Sequence, residues 1–113
     1  MRKEDATTER IIDIGLNIKS LNPEVIEKLL YEVERYIRRY LVRRIGIPYL
    51  TDVSIMLRAE TLEDKITFIV EVSFSAPRVL NIDYEKIVEE AIDKAFEIIE
   101  GRLKSLAGVR EKQ

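Results

Sequence analysis

The chain has 113 residues, of which 46% are hydrophobic and 35% charged, with 19 basic residues against 21 acidic. That length and composition describe one folded domain with its own core and exclude a disordered chain. It holds no Cys and no His, which excludes a disulfide framework, thiolate chemistry and the usual neutral-pH proton shuttle.

The opening MRKEDATTER is charged and has no apolar stretch, so it does not read as a signal peptide, and no run approaches the ~18 apolar residues of a membrane span. A cytoplasmic protein is expected, with residues 1–9 frayed or disordered, a single domain over 10–107 and a frayed tail over 108–113. Glu, Lys and Arg are abundant while Asn and Gln together number four, a composition that leans toward hyperthermophiles.

Ile12, Ile14, Leu16 and Ile18 alternate with Asp13, Gly15 and Asn17, the period of a half-buried strand. Asn22 and Pro23 then offer a helix cap and a first helical residue, with Leu21 placed to staple onto Ile26. Ile26, Leu29, Leu30, Val33, Ile37, Tyr40 and Leu41 form one apolar stripe of a helix predicted to end at Gly46, with Pro48 beyond.

Val53, Ile55, Leu57 and Ala59 mark a second strand, Glu60–Asp64 a polar turn, and Ile66, Phe68, Val70, Val72 and Phe74 a third strand that Pro77 stops. Asp83 is the next helix cap, with Ile82 stapling to Ile87. Tyr84, Val88, Ala91, Ile92, Ala95, Ile99, Leu103 and Leu106 follow as a second helical stripe, with Gly101 inside it at some cost. The order β-α-β-β-α gives an α+β two-layer sandwich, an antiparallel hairpin with two long helices on one face. Without the first strand it reads α-β-β-α. Met56 and Ile69 face the other side of the sheet, so self-association through an edge or that face is expected.

Chemistry is hard to place in this sequence. No nucleophile–base motif occurs, and Gly15, Gly46, Gly101 and Gly108 lie too far apart for a phosphate cradle. No enzyme activity, cofactor or metal is expected. Glu89, Asp93 and Glu97 lie at successive turns of the second helix, with Glu90 and Glu100 beside them, within a segment, 83–100, that holds seven acids and two lysines; Glu89, Asp93, Glu97 and Glu100 are the candidate acidic surface. Such carboxylates suit a hard cation, but with nothing converging on them they read as a solvated acidic face.

The stretch RYIRRYLVRR, residues 35–44, is half arginine. At 100° per residue, Arg35, Arg38 and Arg39 point away from the core stripe together with Tyr31 and Val42. Arg44 falls in line with the stripe and must snorkel or pair. Glu34 is placed to pair with Arg38 and Glu32 with Arg35. Three readings remain open: a solvated helix end that suits the macrodipole, an RNA contact through phosphate-binding arginines and a stacking tyrosine, and a protein interface rich in Tyr and Arg. The balanced charge and the acidic second helix favour the protein interface, alone or as part of a larger complex.

The segments RIIDIGLN, LNPEVIEKLL, ITFIVEVSF and NIDYEKIVEEAIDKAFEIIEGRLKSL resemble a family of small archaeal proteins, domain of unknown function 3194, over about Arg10 to Leu106. The matching positions are mostly core periodicity. The resemblance therefore implies a fold, but no assigned activity and no site residues.

Overall fold

The computed structural model describes residues 3–14, 23–62, 65–77 and 82–107. Five regular elements run β-α-β-β-α: β1 (Lys3–Ile14), α1 (Pro23–Ile45), β2 (Thr51–Leu62), β3 (Lys65–Pro77) and α2 (Tyr84–Ala107), with one turn of 3-10 helix at Ile47–Tyr49. The sheet is antiparallel with order β1-β3-β2. The expected α+β order is therefore present with its first strand.

Strict alternation in β3 sends Ile66, Phe68, Val70, Val72, Phe74 and Ala76 to one face, each 2% exposed or less. Register sets Ala59, Leu57 and Ile55 of β2 beside Phe68, Val70 and Val72, so the apolar row continues onto the edge strand, where it is half-buried. Two helices cover this face, α1 over β2 and α2 over β1, and they also touch each other. From α1 come Leu29, Val33, Ile37, Leu41 and Ile45, and from α2 the whole predicted stripe from Tyr84 to Leu103. The side chain of Leu106 lies outside the described residues. Ile26, Leu30 and Tyr40 flank the core, half-buried, rather than entering it.

Local sequence explains most boundaries. α1 ends where Gly46, at φ +104°, donates its N–H to the Val42 carbonyl at 2.8 Å, a backbone setting that glycine adopts without strain. Asp52, at φ +55°, sits in a bulge where the register slips from Thr51↔Ser75 to Ser54↔Ser73. Aspartate is one of the few residues that tolerate this region, and the bulge restores Val53 to the inward row. At the start of α2, Asp83 Oδ1 accepts the Lys86 N–H at 3.2 Å, the predicted cap, and Ile82 packs against the core.

One boundary differs from expectation. β1 starts at Lys3, so residues 3–9, expected to be frayed, pair in register from Lys3↔Pro77 to Glu9↔Glu71. Their sequence has no apolar alternation. The pairing follows from the length of β3, whose backbone groups need a partner along their whole run. The predicted strand residues 15–18, the cap at Leu21–Asn22, the turn residues Glu63–Asp64 and the tail 108–113 lie outside the described residues.

Behind the sheet the other face is thinly apolar: Ile69 is half-buried, while Met56 is 52% and Ile11 59% exposed. Among the described residues no helix is long and apolar enough to cross a membrane.

Two consequences can be measured by chemical denaturation. Gly101 lies exposed inside α2, and a Cβ there meets nothing within 4 Å. Gly101→Ala is expected to raise stability by about 0.5–1 kcal/mol at an unchanged denaturant slope. The buried Tyr84 hydroxyl donates to the Pro77 carbonyl at 2.5 Å, and its ring stands edge-on to Phe74 at 5.8 Å. Tyr84→Phe removes this donor from a buried carbonyl and is expected to cost about 1–3 kcal/mol.

Candidate interaction surface

Helix α1 has two flanks with different neighbours. Its stripe of every fourth residue, Leu29 to Ile45, faces the sheet. On one side of that stripe Glu32, Tyr36, Tyr40 and Arg44 follow at helical spacing, and this flank meets α2. Arg44 donates to Glu90 Oε1 at 2.9 Å and to the Tyr40 hydroxyl at 2.6 Å, while that hydroxyl donates to the same Glu90 oxygen at 2.9 Å. Toward the other end of the helix pair, Arg102 bonds Glu32. A residue near the end of α1 thus pairs with one near the start of α2, and the reverse, so the helices run antiparallel along a charged seam. The Tyr36 and Tyr40 rings stack within this flank at 6.2 Å.

The opposite flank carries Tyr31, Glu34, Arg38 and Val42 and overhangs β2. Here Arg38, Leu41 and Val42 of α1 face Ile47, Leu50 and Val53 across an open groove of about 170 Å³. Tyr31 is 65% exposed and Ile47 70% exposed. Arg38 bonds Glu34 at 2.6 Å, the expected pair one helical turn apart, and the Arg35 guanidinium lies 5.8 Å from the centre of the Tyr31 ring.

The five candidate residues therefore separate. Tyr31, Arg38 and Val42 share the β2 flank. Arg35 leans over Tyr31, and Arg39 points to solvent along with Arg43, neither with an ionic partner among the described residues. The pairing expected between Glu32 and Arg35 does not form, because Arg35 covers Tyr31 while Arg102 reaches Glu32 from α2. On α2, the candidate acids Glu89, Asp93 and Glu97 are exposed and Glu100 half-buried. The acid that answers α1 is Glu90, outside that set. Its signal in the sequence was indirect: Tyr40 and Arg44, one turn apart beside the core stripe, need a common acceptor. Among the described residues no group of three or more acids converges as a metal site.

The seam shifts its own acidities. Hydrogen bonds from Tyr40 first, and from Arg44, hold the Glu90 carboxyl below its ordinary value. Desolvation first, then the bond to Glu90, raises the Tyr40 phenol, and the bond to Glu90 raises Arg44. A carboxyl depressed in the folded state contributes stability at pH above its unfolded value and loses it as pH falls through the folded one. Glu90→Gln is therefore expected to flatten the acid-side decline of stability relative to the parent, measured as denaturation midpoints from neutral to acidic pH. With both seam residues over a third exposed, the effect is small.

The fold and this surface define a small two-layer α+β protein whose helix pair is tied by charge and whose outer helix flank is open. Residues 18–102 match the family described as "Protein of unknown function (DUF3194)", and the chain belongs to it. It is 31% identical over 105 residues to an uncharacterised Pyrococcus horikoshii protein, PH0533, covering 87% of this chain and 82% of that one. It is 30% identical over 109 residues to an uncharacterised Pyrococcus furiosus protein, PF0383, covering 90% and 89%. A crystal structure from Thermococcus onnurineus shares the fold with a TM-score of 0.71 at 24% identity, covering 89% of this chain and 95% of that one.

Proposed function

We propose that this protein is a non-enzymatic, cytoplasmic interaction module that acts as a dimer or as a subunit of a larger protein complex. The observation that carries this reading is the inequality of the two flanks of α1. The α2 flank has its charges paired and its tyrosines half-buried. The β2 flank leaves Tyr31 exposed beside an apolar groove. An aromatic, an arginine and aliphatic side chains around a groove have the composition of an interface core. Among the described residues no charged side chain is buried, and the sequence offers no His or Cys to a catalytic reading.

A second reading, RNA binding, is favoured by Arg39 and Arg43, which have no ionic partner among the described residues. It is opposed by Arg38, already matched by Glu34, and by an acidic α2. Titration of single-stranded RNA at low and physiological salt separates the two. The interaction reading expects no specific RNA affinity, and a pull-down from host lysate whose partners disappear with Val42→Glu. Tight RNA binding that weakens steeply with salt, with a shallower slope for Arg39→Ala/Arg43→Ala, would replace it with the RNA reading.

A further inference from the structure

We infer that the occupant of the open α1 flank is a second copy of this chain, joined edge to edge through β2 so that two three-stranded sheets become one of six strands. The inference rests on the interaction reading above and names its partner.

The edge itself makes the first argument. β2 is an outer strand of 12 residues. Natural edges are blunted by Pro, by charge in the inward row, by bulges or by shortness; the bulge of β2 lies at its first residues, at Asp52, and leaves the strand regular from Ser54 onward. From Val53 to Ala59 the inward positions of β2 are Val53, Ile55, Leu57 and Ala59, all apolar and half-buried, where the matching β3 row is sealed. The other outer strand, β1, has Glu4 and Arg10 in register with Ala76 and Val70.

The surface also complements itself. A two-fold axis normal to an antiparallel sheet keeps faces, so some residue of β2 must lie opposite its own copy. Centring the axis on Ile55 sets Val53 against Leu57 of the second copy on the helix side. On the open side it sets Asp52 against Arg58 and Ser54 against Met56. Asp52, Ser54, Met56 and Arg58 are all exposed. Centring on Met56 would set Asp52 against Glu60, and centring on Arg58 would set that residue against itself, both like-charge contacts.

The helices agree with this register independently. Along the β2 flank α1 reads apolar, acid, base, apolar: Tyr31, Glu34, Arg38, Val42. Reversed against itself, that row sets Tyr31 on Val42 and Glu34 on Arg38 of the second copy, about an axis near residue 36. The groove brings Arg38, Leu41 and Val42 to the level of Val53, and α1 runs back along β2 from there. Two strand residues onward, at Ile55, the chain has advanced about 7 Å, which is about four to five helix residues. Counted back from that group, the level of Ile55 falls between about residues 33 and 38 of α1, a span that includes the helix axis near residue 36.

The chain has no Cys, so the register can be tested with introduced ones. Sedimentation equilibrium at high micromolar concentration is expected to show a dimer. Ser54→Cys/Met56→Cys is expected to oxidise to a covalent dimer, since facing residues of an antiparallel pair meet disulfide geometry, and neither single variant should do so efficiently. Glu34→Arg is expected to weaken the dimer about tenfold or more, and Glu34→Arg/Arg38→Glu to restore it, with circular dichroism showing every variant folded. A monomer at that concentration overturns the inference while leaving a different protein partner open. A dimer in which Met56→Cys alone cross-links as fast as the double variant, or in which the charge exchange fails to restore association, overturns the register. Specific RNA binding without self-association overturns both this inference and the interaction reading.

Discussion

The inward row of β3 constrains the rest of this structure. Ile66, Phe68, Val70, Val72, Phe74 and Ala76 are sealed, while the alternate positions from Thr67 to Ser75 remain half-buried. A strand of this kind needs apolar cover on one side and hydrogen-bonding strands on both edges. The lengths of the other elements follow. A strand of 13 residues spans about 43 Å, and helices of 23 and 24 residues span about 35 Å, so two helices laid along the sheet cover most of the row. Shorter helices would leave the ends of β3 wet; at its C-terminal end the buried Tyr84 bonds the Pro77 carbonyl.

Charge serves arrangement here rather than chemistry. A surface ion pair contributes little to stability on its own, yet Arg44–Glu90 and Arg102–Glu32 sit at separate points along two antiparallel helices. Sliding one helix past the other by a turn would break both at once. The tyrosine between Arg44 and Glu90 adds a second hydrogen bond to the same carboxylate and accepts one from Arg44, which makes that point of the seam directional. The apolar stripes of the helices are broad and would tolerate slippage; the seam is what discriminates among their possible alignments. A chain that is 35% charged can thus keep a wholly apolar core, with no charged residue buried among the described residues.

Period and capping chemistry made much of this legible from residues alone. The β3 row, the α2 stripe, the cap at Asp83 and the stop at Gly46 are local signals that the packing reinforces. Three features were not legible, each for the same physical reason: they depend on a partner distant in sequence. Residues 3–9 form strand only because β3 lies beside them. Glu32 has a plausible local partner in Arg35 but takes Arg102, 70 residues away. The bulge at Asp52 is dictated by the register of β3 and leaves only an ambiguous aspartate in the sequence. The candidate surface shows the same division. A helical wheel separates Tyr31, Arg35, Arg38, Arg39 and Val42 from the core, but cannot say which flank α2 will occupy, and so groups residues that the fold divides.

That division gives α1 its character. A helix packed between a sheet and one neighbour has two free directions, upward to solvent and sideways past the sheet edge. The upward direction of α1 holds Arg39 and Arg43, a face that water satisfies at no cost to the fold. The sideways direction holds Tyr31, Val42 and the groove to Leu50 and Val53, above β2, an outer strand of the described sheet. Apolar side chains and strand backbone therefore lie open along one line. Each of these openings alone is common in small proteins. Their alignment on a single side is the property that sets this molecule apart from a solitary α+β domain, since one contact along that line would cover all of them together.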